Sequence, residues 1–159
     1  MGKAMLEGRL DRRTALKGLG SVGAGMLFGG VLSSCQAPAQ AQNIDRDILN
    51  FALNLEYLEA AFYLAAVGRL KDLPGGGASV ILPQGVSGST TVPGLTGDDL
   101  DLAKEIANDE LAHVNFLRQA LGSAAVSRPV IDLSNSFNAI RKGFNPFSDP
   151  VSFFVGAFV

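Results

Sequence analysis

The sequence has little of the chemistry that cross-links small proteins. Of its 159 residues, one is cysteine and none is tryptophan. A lone cysteine, Cys35, excludes an intrachain disulfide. A structural zinc site also fits poorly, since such sites favour several cysteine ligands in a closed tetrahedron. The fold must therefore be held by packing and hydrogen bonds alone.

A basic surplus is also missing once the first 34 residues are set apart. That segment carries five Lys and Arg side chains against Glu7 and Asp11, a net charge of +3. Taking it away from the chain's 13 basic and 15 acidic side chains leaves 8 against 13, a net charge of −5. Because nucleic-acid binding needs a basic patch, the sequence argues against nucleic acid as a partner.

Residues 1–41 have the order of an export signal followed by a linker. Arg12 and Arg13, with Leu16 and Lys17 after them, resemble the twin-arginine export motif, although an alanine stands where phenylalanine is common. The next 14 residues are uncharged and include six glycines. They are too few to span a bilayer, which takes about 20 apolar residues. This order predicts an export signal, the alternative being a buried glycine-rich helix.

Two processing sites compete at the end of the signal. Residues 32–35, LSSC, look like a lipobox, which would lipidate Cys35 and tether the protein to a membrane. Residues 39–41, AQA, fit the small-x-small pattern of soluble release. The cysteine lies four residues after the apolar stretch, and this position favours the lipobox. We expect a protein of the periplasm or cell envelope, anchored through Cys35 or released.

The remaining chain has two segments with helical periodicity. The first runs from Ile44 to Leu70, with Asn43 or Asp45 as its N-cap. Its apolar positions, Ile48 and Leu55 among them, are numerous enough to predict a helix buried on more than one side. The second segment runs from a Thr96 or Asp98 cap to about Leu121, where Gly122 can end the helix.

Shorter elements are predicted around these two helices. Residues 80–82 and 90–92 form either a short β-hairpin or part of an irregular crossover. Residues 134–142 predict a short third helix, and Asp149 followed by Pro150 predicts the start of another. The run from there to Val159 is apolar and uncharged. Since chain ends are usually polar, we expect a fragment of a longer protein, or else a C-terminal element docked in the core.

Three ionisable residues interrupt the apolar stripes of the two long helices. Glu56 follows Leu55 on the first helix, and Glu110 and His113 lie on the second. A Glu-x-x-His spacing puts both side chains on one helix face, about 5–6 Å apart between Cβ atoms, so both can reach one ion. Burying a carboxylate needs a compensating partner. Mixed oxygen and nitrogen donors favour iron, manganese or zinc over calcium or magnesium.

The residues around this trio resemble the ferritin-like superfamily, and within it the exported proteins that include desiccation-related proteins. The similarity lies in residues 50–63, NFALNLEYLEAAFY, and 108–117, NDELAHVNFL. It implies an all-α, ferritin-like helical bundle over residues 44–159 that holds a carboxylate-bridged iron or manganese pair. By the same resemblance, Glu56 is a ligand from the first helix, Glu110 the bridging carboxylate and His113 the nitrogen ligand. Tyr63 falls where many members keep a tyrosine near the metals.

The sequence departs from the family by holding half of the ligand set. It has no second glutamate helix and no second Glu-x-x-His. Either helices outside this sequence supply the other half, or two chains pair as a symmetric homodimer to complete it. The bundle is therefore expected to be incomplete within one chain, as a helix hairpin with accessory elements.

Two further alternatives stay open at this stage. Glu59 is one turn beyond Glu56 and is either an acceptor for His113 close to the metals or an edge residue paired with Arg or Lys. The trio itself is either a metal site or a structural hydrogen-bonded cluster in a non-enzymatic envelope module. The resemblance implies oxidant handling, metal sequestration or stress protection, without settling whether the protein is an enzyme.

Overall fold

The structure is a computed structural model, which describes the backbone of residues 39–159 and the side chains from Asn43 onward. The predicted export signal and Cys35 lie outside these residues, so their predictions stay untested. Within the described part, no helix combines the length and apolar character that crossing a membrane requires. The described residues are mostly helical, which confirms the all-α fold class.

The first long helix, α1, spans Ala39–Ala66. It begins five residues before the predicted start because the preceding Ala and Gln residues are good helix formers. It ends four residues early, at Gly68, whose φ of +74° favours glycine. A Cβ on Gly68 would come within 2.9 Å of the Thr90 backbone, so this close approach also requires glycine. Leu70, the predicted helix end, lies instead in a 3₁₀ turn, Leu70–Asp72.

The second long helix, α2, spans Gly97–Leu121, as the sequence predicts. Thr96 is the N-cap residue, although its side chain makes no capping hydrogen bond, and Asp98 and Asp99 place negative charge at the positive end of the helix dipole. Gly122 ends the helix with φ +54°, and its N–H donates to the carbonyl of Arg118.

Helices α1 and α2 form an antiparallel hairpin. Hydrogen bonds between them join positions that rise along one helix and fall along the other. Asn50 Nδ2 donates to the Ala124 carbonyl just after α2, and Arg118 Nη1 donates to the Tyr57 hydroxyl at 2.5 Å. Arg69, just after α1, donates to Asn108 at 2.7 Å. The hairpin is thus held in one register by polar contacts at both ends.

A small parallel sheet links the crossover to the segment after α2. Strand β1, Val80–Ile81, pairs with β2, Ile131–Asp132. The predicted hairpin between residues 80–82 and 90–92 is therefore wrong. Residues 90–92 instead meet the end of α1, where the Val92 N–H donates to the Ala66 carbonyl at 2.9 Å.

Two short helices complete the described chain. Helix α3 spans Asn135–Ile140 and α4 spans Pro150–Phe158. The predicted cap of α4 is confirmed, because the Asp149 carboxylate accepts the Ser152 N–H at 2.9 Å. This bond and those from neighbouring hydroxyls lower the pKa of Asp149 to about 2.

The C-terminal half of α1 is buried by these elements. Phe62 is the centre of an aromatic cluster, with ring centroids 5.4–5.8 Å from those of Phe137, Phe147 and Phe153. Gly156 of α4 packs where a Cβ would come within 2.6 Å of the Pro146 side chain. Burial on more than one side, predicted for the whole helix, thus holds for this half.

The N-terminal half of α1 is covered on one side alone. Leu53 and Tyr57 are fully buried toward α2, but Ile48 and Leu55, predicted as core, are exposed. Periodicity identifies apolar positions without saying which of them a neighbour covers, and no described element lies over this side. The exposed row, here named the α1 stripe, consists of Ile44, Ile48, Phe51, Leu55 and Leu58.

Candidate metal centre

The helix hairpin brings together the three residues that the sequence predicts as ligands. The Nδ1 atom of His113 lies 3.1 Å from Oε2 of Glu56 and 3.1 Å from Oε2 of Glu110. One donor atom from each residue can be chosen so that all three lie within 4.8 Å of one another. Residues 57 positions apart in sequence thus meet at one point, because α1 and α2 are antiparallel and in this register.

The three side chains differ in burial. Those of Glu56 and Glu110 are 22% and 15% exposed, whereas that of His113 is 56% exposed. The prediction that all three occupy buried positions is therefore wrong for His113. The next residue on α2, Val114, takes the buried position, and His113 lies about 100° from it around the helix axis. The trio sits at the edge of the hairpin, with the imidazole facing outward.

The electrostatics of the trio are those of groups that share a proton. A hydrogen bond to Glu110 is the main cause that raises the pKa of His113. Burial is the main cause that raises the pKa of Glu110, and the nearby carboxylates of Glu56 and Glu59 add to it, while the bond to His113 opposes it. Both directions favour a positive charge between the carboxylates, which a proton or a metal cation can provide.

The donor set fits a transition-metal ion. Two ligand atoms bound at right angles to one ion, each about 2.1 Å from it, lie about 3 Å apart. The distance from His113 Nδ1 to each carboxylate oxygen is 3.1 Å. Two carboxylates and one imidazole leave coordination positions open for further ligands. The geometry therefore suits an ion bound from one side.

A cavity of about 530 Å³ opens beside Glu110. Glu59 and Tyr63 of α1 line it, together with Asp132 of β2 and apolar residues of α3 and α4. Burial, followed by the negative charges of Glu110 and Glu59, raises the pKa of Tyr63. The tyrosine predicted to lie near the metals is thus close to one candidate ligand, across a largely apolar space.

Glu59 takes neither of the two places predicted for it. Its side chain lines the cavity, and no hydrogen bond to His113 and no ion pair with Lys or Arg is seen within residues 43–159. The sequence gives no sign that Asp132 shares this cavity, because Asp132 arrives there through the pairing of β1 with β2. The one signal of that pairing, a β-branched run at residues 80–82, was assigned to a different partner.

Comparison with known proteins gives one informative relative. The protein named ferritin-like catalase Nec2, from Nesocodon mauritianus, is 31% identical over an alignment of 130 residues. The alignment covers 72% of this chain but 39% of that relative, so the chain spans about two fifths of the relative's length. No solved structure matches the chain significantly.

The comparison with protein families agrees with the fold and with the candidate site. The ferritin-like domain family matches residues 44–159, the range predicted from sequence for this domain. The match includes both long helices from Ile44 onward and all three candidate ligands. The chain therefore belongs to the ferritin-like domain family.

Proposed function

We propose that the chain binds iron or manganese through Glu56, Glu110 and His113, as part of a carboxylate-bridged di-metal site. The observation that carries this proposal is the convergence of two carboxylates and one imidazole, 3.1 Å apart, on the edge of a ferritin-like hairpin. Mixed nitrogen and oxygen donors suit these metals. Glu110 would bridge, since it lies between His113 on one side and the cavity on the other.

The reaction proposed for this site is the handling of dioxygen or peroxide. Bound iron or manganese would supply the ability to exchange electrons with such small oxidants. Support comes from the relative, whose name describes a catalase, and from the cavity that reaches Glu110. The raised pKa of Tyr63 keeps its phenol protonated at neutral pH, so its O–H can donate a hydrogen bond into the cavity.

Peroxide removal by the metal-loaded protein tests this reaction. Protein loaded with manganese(II) or iron(II) should consume hydrogen peroxide faster than the same concentration of free metal. The excess should disappear in a His113→Ala variant, which loses the nitrogen ligand. Oxygen release followed with an electrode checks both. Bound metal that gives no excess rate would exclude oxidant turnover and leave metal sequestration.

A non-enzymatic envelope module is the second candidate. It is favoured by the way the trio satisfies itself, since His113 is within hydrogen-bond distance of both carboxylates without any ion. The two readings differ in how the fold responds to metal. A metal site raises the unfolding temperature when metal is added, whereas a structural trio leaves it unchanged and tolerates chelation.

We propose that the protein is exported and tethered to a membrane through Cys35, in the periplasm or cell envelope. A role in oxidative or drying stress would follow from that location. The proposal rests on the order of charged, apolar and small residues in the first 41 positions and on the cysteine after the apolar stretch.

A fatty-acid labelling experiment tests the tether. In cells that export the chain, radiolabelled palmitate should enter the wild-type protein, and Cys35→Ser should abolish the label, because the thiol is the acylation site. Changing both Arg12 and Arg13 to Lys should block export and labelling together. An exported wild-type protein without label, recovered free of membranes, would instead indicate cleavage after Ala41.

A further inference from the structure

We propose that the α1 stripe is the contact surface for a second copy of this chain, which completes the metal centre. The stripe consists of large apolar side chains left in solvent. Their exposed fractions are 59% for Ile44, 59% for Ile48, 65% for Phe51, 46% for Leu55 and 45% for Leu58. Single exposed apolar residues are ordinary, but a continuous row of them on one helix marks an interaction site.

The spacing of the stripe fits another helix. Its members follow one another at intervals of four, three, four and three residues. This is the seam of a helix that packs lengthwise against a second helix. The surface therefore favours a helix as its occupant over a small molecule or a strand.

Three consecutive residues place the stripe next to the candidate ligands. Successive side chains on a helix point about 100° apart. Leu55 belongs to the exposed stripe, Glu56 reaches His113, and Tyr57 is buried and accepts a hydrogen bond from Arg118 of α2. Glu56 thus points between the α2 side and the stripe side. A helix laid on the stripe would enclose Glu56 from the side opposite α2.

The ligand set decides which helix this is. One chain provides two carboxylates and one imidazole, half of what a carboxylate-bridged pair of ions requires. A second copy brings the same three ligands together with the same apolar row, so the contact is self-complementary. Four carboxylates from two chains also balance the charge of two divalent cations. The choice of occupant therefore rests on the proposed metal function, whereas the surface itself does not.

The position of the two-fold axis follows from the rise of the helix. With about 1.5 Å per residue, an antiparallel contact centred on Phe51 would separate the two Glu56 residues by about 15 Å along the axis. Centred on Leu55, the same contact separates them by about 3 Å, which allows a shared centre. Phe51 then lies level with Glu59 of the other copy, at the cavity that Glu59 and Phe62 line. Phe51 can act as an anchor in that cavity.

The mass of the full chain in solution tests this surface. Analytical ultracentrifugation, with and without manganese(II), should show a dimer in at least one condition. Leu55→Asp should weaken dimerisation by at least about a hundredfold, because it buries an unpaired charge at the centre of the contact. Val130→Asp is the matched control, since Val130 is 70% exposed, lies outside the stripe and should leave the dimer unchanged.

The outcomes separate this inference from the proposed function. A wild-type monomer in both conditions, or a Leu55→Asp variant that dimerises like the wild type, would overturn the surface even if the monomer binds metal. A wild-type dimer broken by Leu55→Asp supports the surface. Metal analysis of the same samples shows separately whether manganese is bound, so a metal-free dimer would count against the proposed function alone.

Discussion

Replacing Glu110 with alanine should weaken iron or manganese binding by more than about a hundredfold. Loss of a side chain that merely supports a ligand typically costs about 10–100-fold in metal affinity, and loss of a ligand should cost more. Glu110 is the most buried of the three candidate ligands, touches His113 and faces the cavity. Its removal therefore takes away both a donor and the proposed bridge.

Equilibrium titration followed by elemental analysis of the dialysed protein measures this loss. Asp109→Ala is the control, since Asp109 is an exposed carboxylate one position earlier on α2 and should leave the metal content unchanged. Circular dichroism of both variants shows whether α2 is intact. A Glu110→Ala protein that keeps the full wild-type stoichiometry would show that Glu110 is not a ligand.

Replacing Phe62 with alanine should reduce the free energy of unfolding by about 3–5 kcal/mol, the range for a buried Phe→Ala change. The Phe62 ring is 6% exposed and contacts aromatic rings from α3, α4 and the loop before α4. Its removal leaves a space that helices on several sides must collapse to fill. Such a loss is a large part of the stability of an ordinary domain.

Urea unfolding monitored by circular dichroism checks this prediction. Phe158→Ala serves as the control, because Phe158 is 95% exposed at the end of α4 and its loss should change stability by less than about 0.5 kcal/mol. If Phe62→Ala and Phe158→Ala unfold at the same urea concentration, the aromatic cluster does not hold α3 and α4 against α1.

The helix hairpin could be predicted because its signals are local. The start of α2 near Thr96, its end at Gly122 and the Asp149 cap of α4 all depend on residues within one helical turn. The meeting of Glu110 with His113 is also local, since residues three apart share a helix face. That Glu56 joins them depended on the resemblance to a family in which two helices share a site.

What could not be predicted depends on contacts between distant residues. The β1 strand pairs with Ile131 and Asp132, about 50 positions away, and nothing in residues 80–82 names that partner. The same limit applies to burial. The pattern that marks Leu55 as apolar is the same whether a helix covers it or solvent does, and so its exposure was missed.

The cavity beside Glu110 shows this limit most clearly. Its walls come from α1, α2, β2, α3 and α4, and each wall residue looks ordinary in its own segment. Its position next to a candidate ligand became visible once the chain was folded. The chemistry of the trio is thus written in residue types and spacing, while the access of small molecules to it is a property of the tertiary structure.

X-ray absorption at the metal edge tests the central claim most directly. His113 is the only histidine in the sequence, so imidazole scattering from a tag-free protein can arise from no other residue. The account predicts one imidazole per bound iron or manganese ion, with oxygen atoms as the remaining near neighbours, and loss of the imidazole signal in His113→Ala. Tightly bound metal with oxygen neighbours alone in the wild type would contradict it, because the ion would then lie away from the Glu56, Glu110 and His113 trio.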